Sequence, residues 1–268
     1  SITAPRPQTT RNRIVGILTG PHFQVVFVDT PGIHAARDRF NQALVETALA
    51  ALNEVDVACL LIEAQEAGGG ANQMIIEELR KVSTPAILII NKIDLIRNKQ
   101  ELLPIIQKYR QPMEFEAVVP VSALLGHGVD ELLKEIVHLL PEGPNYYPED
   151  YLTDQPERFL AAELVREKIF RLTHQEVPYA VAVTVEKFSE DLERNRIDIE
   201  ATVHVERDSQ KAILIGKQGQ MLKEIGKQAR KDIEALLGCH IYLGLFVKVQ
   251  KNWRKNQRFL AELGYRER

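Results

Sequence analysis

Cysteine is nearly absent from this 268-residue chain: Cys59 and Cys239 are the only two, far apart and each in an apolar setting. That excludes a disulfide framework and a cysteine-built metal site, and the expectation is two buried thiols in a reducing compartment. Long apolar runs are missing as well. None approaches the roughly 20 residues that a bilayer-spanning helix needs. The opening "SITAPRPQTTRNR" is polar and basic, so no secretory signal peptide is expected. Internal repeats and low-complexity tracts do not occur. No G-x-G-x-x-G follows an apolar run, which removes the dinucleotide-binding dehydrogenases, and no G-K-[ST] tripeptide occurs anywhere.

What remains is an ordinary globular composition, 45% hydrophobic and 26% charged, in a chain long enough for two domains. The net charge of −3 conceals an asymmetry. Residues 201–268 hold 14 Lys+Arg against 7 Asp+Glu, whereas the first 200 hold 20 against 30. A basic back end suits a polyanionic partner, the alternative being a solvated basic helix face.

Strands and helices alternate through the first half. Strand-like runs lie at 13–19, 24–29, 57–63, 85–91 and 116–122, with helical patterns at about 38–53, 71–82, 99–110 and 128–140. The runs at 57–63 and 85–91 are apolar on both faces, as in parallel strands covered by helices. This order predicts an α/β fold with a doubly wound, mostly parallel sheet, whose ligands bind at the strands' C-terminal ends. "LPEGPNYYPEDYLTDQPE" (140–157) reads as a linker that packs. Beyond it the pattern changes to an α+β domain: a helix (157–172), strands at 180–188 and 196–207, a short helix, a longer one to about Leu237, a strand at 241–249 and a basic terminal helix. The expected boundaries are 1–145, a linker at 146–156, and 157–268.

The motifs sit at strand ends. Asp29-Thr30-Pro31-Gly32 closes the apolar run "QVVFVD". D-x-x-G arises by chance about once in a chain this long. After a buried strand, however, the carboxylate can hold a magnesium-bound water and the Gly32 amide can meet a γ-phosphate. The plain alternative is a strand-ending turn. Asn91-Lys92-Ile93-Asp94 is far more specific. The Asp94 carboxylate can accept from both the ring N–H and the exocyclic amine of guanine, a donor pair that adenine lacks, and such a site rejects the analogue by roughly 10⁴. Asn91 would tie neighbouring loops together, and the Lys92 stem would lie along the base. One βα unit later comes Val121-Ser122-Ala123-Leu124, a backbone amide of which can meet the guanine carbonyl. Three signals in fixed order at successive strand ends predict a guanine-nucleotide site.

The segments "SITAPRPQTTRNRIVGI", "FVDTPGIH", "INKIDL", "PVSAL", "YYPEDYLTDQPERFLAAELVREKI" and "ILIGKQGQMLKEIGKQAR" together resemble the Era family of GTPases over nearly the whole chain. The resemblance implies a P-loop-GTPase-like domain followed by a type II K-homology (KH) domain, GTP/GDP and Mg2+ as cofactors, and slow GTP hydrolysis. It implies Thr10, with Thr9 the alternative, as a magnesium ligand in switch I (about 5–13), and a switch II at about 30–40. Ile33 stands where many GTPases carry a water-positioning Gln, so the catalytic residue is unknown. The family's Walker A loop and its strand would lie just upstream of Ser1, so the expectation is a chain shortened at its N-terminus, impaired or inactive as a GTPase. A non-enzymatic RNA-binding scaffold is the alternative.

In the second half, the glycines of Gly216-Lys217-Gln218-Gly219 let a turn approach a phosphodiester backbone closely. KH domains clamp about four nucleotides in this way. Lys211, Lys223, Lys227, Arg230 and Lys231 add positive potential, a solubilising role being their alternative. Ile213, Ile215, Leu222 and Ile225 have the spacing of a core face. By resemblance the partners are small-subunit ribosomal RNA, near its 3′ end, and the small ribosomal subunit, during its assembly. No DNA partner is expected. The location implied is the cytoplasm, with membrane contact only peripheral, at the inner face of the cell membrane.

Overall fold

A computed structural model describes residues 1–33, 39–65, 70–191, 193 and 195–265. The first half runs β1 (Ile14–Gly20), β2 (Phe23–Asp29), α1 (Arg39–Leu52), β3 (Ala58–Glu63), α2 (Gly70–Leu79), β4 (Ala86–Asn91), α3 (Leu102–Arg110), β5 (Ala117–Pro120) and α4 (Val129–Leu139). Strands β3, β4 and β5 form a parallel sheet in that order, while β1 and β2 pair antiparallel. Among the described residues the two sheets share no ladder. They meet through side chains, Val25 of β2 lying in one apolar cluster with Ile87 and Ile89 of β4.

β4 is the central strand. Leu88 and Ile90 face Ile76 and Leu79 of α2 and Tyr109 of α3, whereas Ile87 and Ile89 share a cluster with Ile136 of α4. Helices on both faces explain why β4 is apolar and buried from Ala86 to Ile90. β3 differs from the expectation. Ala58, Leu60 and Ile62 are buried, but Cys59 and Leu61 are exposed, Leu61 at 59%. β3 is therefore a strand with one covered face among the described residues. Cys59 is not the buried thiol its apolar setting suggests, and Cys239 is only half-buried. A strand apolar over five consecutive residues does not say which of its faces a neighbour will cover.

The linker packs through its backbone. The Ile17 amide donates to Leu152 O at 2.9 Å, and the Thr153 hydroxyl donates to Val15 O at 2.6 Å. Gln24 holds Tyr146 and Tyr147 by their main chain.

The second half comprises α5 (Glu157–Leu172), α6 (Val177–Ala180), β6 (Ala182–Asp191), β7 (Arg196–Val205), α7 (Asp208–Ile215), α8 (Gln220–Leu237), β8 (His240–Val249) and α9 (Gln257–Glu262). β6 pairs antiparallel with β7, and β7 parallel with β8. Ala161, Val165 and Ile169 of α5 and Ile225, Ala229 and Ile233 of α8 recur every four residues and are buried with Ile199, Val203 and Val205 of the sheet. The basic terminal segment is not one long helix: a 3₁₀ turn at Trp253–Lys255 precedes the short α9.

His204 is expected to make the stability of this half depend on pH. It is buried, its Nε2 lies 2.8 Å from Thr184 Oγ1, and its ring meets Phe259 edge-on. Burial lowers its pKa; Glu186 opposes the shift and Lys248 reinforces it. The folded protein thus binds this proton less readily than the unfolded chain. Stability is fully present above the unfolded value of about 6.5 and falls as the pH drops below it. The thermal midpoint is expected to fall between about pH 7 and pH 5, and to fall less in His204→Gln. Equal falls in the two proteins would refute this.

Candidate functional site

The three candidate motifs follow β2, β4 and β5, and the loops after β4 and β5 are neighbours. After β4, Asn91 Oδ1 accepts from the amides of Lys92 at 2.8 Å and Ala123 at 3.0 Å. The Ile93 amide donates to Val121 O at 3.2 Å, and Val121 donates back to Ile90 O at 2.8 Å. Asn91 therefore ties the loop after β4 to the loop after β5. Its partner there is the Ala123 N–H, so that amide is already engaged within the protein and would have to be shared with a guanine carbonyl. Ser122 is fully buried. Its hydroxyl donates to Asp94 Oδ1 at 2.6 Å and accepts from the Leu125 amide at 3.2 Å. The hydroxyl fixes one carboxylate oxygen of Asp94, while Oδ2 has no protein partner among the described residues. An exposed, oriented carboxylate at a strand end can accept from a planar pair of N–H donors. Leu124 stands beside it, 85% exposed. Lys92 has a left-handed backbone, φ 62°, and its Nζ rests on Glu63 Oε1 at 2.5 Å. Its stem lies toward the end of β3, a contact that the sequence did not signal.

Thr10 and Asp29 come together across the chain: the Thr10 hydroxyl donates to Asp29 Oδ2 at 3.0 Å. Two hard oxygen ligands side by side suit magnesium, which takes one or two carboxylates and completes its octahedron with water or phosphate. Thr30 is half-buried, Pro31 buried, Gly32 exposed and Ile33 half-buried. Positions 34–38 of the expected switch II lie outside the described residues.

In the second half the glycine loop has the geometry its composition implies. Gly216 has φ 70°, and a Cβ there would stand 2.7 Å from Met221 Cβ. Gly219, at φ 77°, opens α8, and Gln218 is also left-handed, at φ 53°. Lys217 and Gln218 project into solvent; Lys223, Lys227, Arg230 and Lys231 are exposed along α8, while Lys211 is half-buried. On α7 the buried residue is Leu214, and Ile213 is 45% exposed, so Ile213 does not belong to the core face expected of it. Ile225 is fully buried as expected, and Ile215 and Leu222 are half-buried.

Sequence reasoning missed how the halves meet. Residues 2–12 run along α5 and α6. Arg171 donates to Thr3 O and Oγ1, and Arg6 donates to Thr173 O at 2.6 Å. Arg11 is buried between the halves. Beside it, Phe40 and Leu44 of α1 pack with Trp253, Phe259, Leu260 and Tyr265. The buried charges of α5 are the signal that could have been read: Glu163, Arg166, Glu167 and Lys168 all lie under cover, as a polar helix face does when another segment lies across it.

The comparisons agree across the chain. The model of the elongation factor Tu GTP binding domain matches residues 6–142, and that of the KH domain matches residues 176–254. GTPase Era of Geobacter metallireducens is 51% identical over 264 residues, which are 98% of this chain and 88% of that protein. GTPase Era of Lacticaseibacillus paracasei is 51% identical over 265 residues, 99% and 88% of the two chains. The crystal structure of Era in complex with MgGDPNP and nucleotides 1506–1542 of 16S ribosomal RNA superposes with a TM-score of 0.96 at 40% identity, covering 100% of this chain and 90% of that one. A variant of Aquifex aeolicus Era bound to GDP and AlF4− does so with a TM-score of 0.95, also at 40% identity, covering 100% and 91%. With a GTP-binding-domain match, a KH match and half its residues identical to Era proteins over almost its full length, the chain belongs to the Era family of GTPases.

Proposed function

We propose that the protein is a GTP-dependent RNA-binding factor of small-subunit assembly. The observation that carries the reading is the paired anchoring of Asp94 by Ser122 and of the loop after β5 by Asn91. It prepares an acceptor for guanine at the place where a GTPase sheet presents its base pocket. In this reading Asp94 selects guanine, Lys92 and Leu124 flank the base, and the Ser122–Ala123 loop closes the pocket. Thr10 and Asp29 hold Mg2+, and Thr30, Pro31 and Gly32 border the γ-phosphate. Bound Mg2+ would neutralise charge developing on the transferred phosphoryl group. Ile33 can neither donate nor accept a hydrogen bond, so the water that attacks is oriented by another group.

Gly216, Lys217, Gln218 and Gly219, with Lys211, Lys223, Lys227 and Arg230, hold single-stranded RNA. The relative captured with 16S nucleotides 1506–1542 supports ribosomal RNA near its 3′ end as the ligand. The cytoplasm is the place where that RNA is met. Among the described residues no helix is long and apolar enough to cross a membrane.

These 268 residues contain no G-x-x-x-x-G-K-[ST]. Phosphate contacts supply much of the grip in P-loop proteins, so the chain alone is expected to hold GTP weakly, and a scaffold reading without nucleotide activity rests on the same observation. Calorimetry decides: sub-micromolar GTP binding by residues 1–268 would overturn the weak-binding expectation. With a relative's phosphate loop joined at the N-terminus, tight GTP binding is expected, and Asp94→Asn should shift preference toward xanthine nucleotides, because an amide presents a donor where the carboxylate accepted. Unchanged base preference would refute the pocket; no GTP binding with the loop in place would favour the scaffold.

A further inference from the structure

Arg11 follows Thr10 directly, yet its side chain belongs to the other half of the molecule. Its guanidinium is 2% exposed as a residue and donates to Val181 O at 2.5 Å, Tyr179 O at 3.1 Å and Pro178 O at 3.2 Å. These are the carbonyls where α6 turns into β6. The remaining one, Ala180 O, accepts from Trp253 Nε1 at 2.9 Å. Four consecutive carbonyls at this turn are thus satisfied by two side chains, and one of those comes from the segment that touches Asp29. The same guanidinium lies 5.3 Å from the centre of the Phe40 ring on α1 and 5.8 Å from that of Phe170 on α5. A planar fork that serves several acceptors and stacks on two rings has few alternative placements.

Adjacent Cα atoms are held about 3.8 Å apart. The backbone step from Thr10 to Arg11 is therefore short, and a shift of residues 9–12 as a unit that parts Thr10 from Asp29 would draw the Arg11 fork off its carbonyls or carry the α6–β6 turn with it. Phe40, on the helix that follows the Asp29 loop, reaches the same cluster. Both segments that leave the Thr10–Asp29 site converge on the base of the RNA-binding half.

We propose that Arg11 is a positioning residue that couples the Thr10–Asp29 site to the placement of the KH half. When its fork is seated on residues 178–181, Thr10 stands at Asp29. When Thr10 is displaced, the KH half is released. Linkage makes the coupling reciprocal: RNA bound to the KH half holds Thr10 in place as strongly as an occupied Thr10–Asp29 site favours RNA. The RNA arm of the coupling rests on the function proposed above; the mechanical arm does not.

The test uses the full chain with Cys59 and Cys239 replaced by serine and spin labels at Glu114 and Ala235, an exposed position in each half. The label-to-label distance is read without ligand. Wild type should give one narrow distribution, Arg11→Gln a broad or displaced one, and Arg11→Lys, which keeps the cation but not the fork, an intermediate one. Near-native circular dichroism in Arg11→Lys guards against simple misfolding. A distribution in Arg11→Gln that matches wild type would overturn the proposal. In the second arm, an oligonucleotide with the sequence of 16S nucleotides 1506–1542 is added and amide hydrogen exchange is followed at residues 9–12. Exchange should slow severalfold in wild type and be unchanged in Arg11→Gln, while the two bind the RNA within about threefold of each other. An equal slowing in both would overturn the coupling. Failure of wild type to bind the oligonucleotide would count against the functional reading, and the ligand-free distances would then decide the role of Arg11.

Discussion

Replacing Lys217 and Gln218 together by aspartate is expected to lower affinity for single-stranded RNA by about a hundredfold at physiological salt. The two side chains project from the turn between Gly216 and Gly219, where a phosphate backbone passes closest. Aspartate there sets two carboxylates against phosphates in place of a cation and an amide. The loss of a lysine–phosphate contact should also flatten the dependence of log affinity on log salt by about 0.7. Folding should be nearly untouched. Both positions are solvent-facing, and Asp is among the residues that tolerate the left-handed conformation of Gln218. A stability change within about 0.5 kcal/mol is expected. Filter binding or anisotropy against salt, with thermal unfolding as the control, measures both. A folded variant that binds RNA as tightly as wild type would reduce the loop to a connecting turn.

The largest stability effect is expected at Trp253. It is fully buried, donates to Ala180 O, and packs edge-on against Phe40 at 5.5 Å and Phe259 at 6.2 Å. Trp253→Ala removes this ring from the junction of the two halves and leaves the Ala180 carbonyl buried without its donor. The combined cost should be about 3–5 kcal/mol. Trp253→Phe keeps most of the apolar contact and loses the hydrogen bond, for about 1–2 kcal/mol. Urea denaturation followed by circular dichroism ranks the two. Because Trp253 is the only tryptophan in the chain, its emission in the wild-type protein reports this junction alone. A cost below about 1 kcal/mol for Trp253→Ala would mean that the cluster contributes little to the folded state.

Where the chemistry lies could be read from residue order. Buried parallel strands must be apolar, so a polar motif that ends such a run stands at the sheet's C-terminal edge, and pattern and spacing alone put Asn91, Asp94 and Ser122 there; Asp29 also ends its strand, β2, but that strand belongs to the separate antiparallel pair. The Gly-x-x-Gly turn was equally legible, because only glycine accommodates the φ and the close approach to Met221 that Gly216 requires. The element order of the KH half followed from periodicity, with α6 too short to announce itself. What sequence left open was which apolar face meets what. Ile213, Leu214 and Ile215 are consecutive, and an eight-residue helix gives too little period to choose among them; packing against the sheet selected Leu214. β3 is apolar from Ala58 to Ile62, and only the placement of its neighbours left Cys59 and Leu61 uncovered. Above all, Arg11 reads as one more cation in a basic, polar opening. Its burial against the carbonyls of residues 178–181 depends on contacts some 170 positions away in the chain. Local pattern carries no information about such partners, and tertiary packing alone joined the segment at Asp29 to the RNA-binding half.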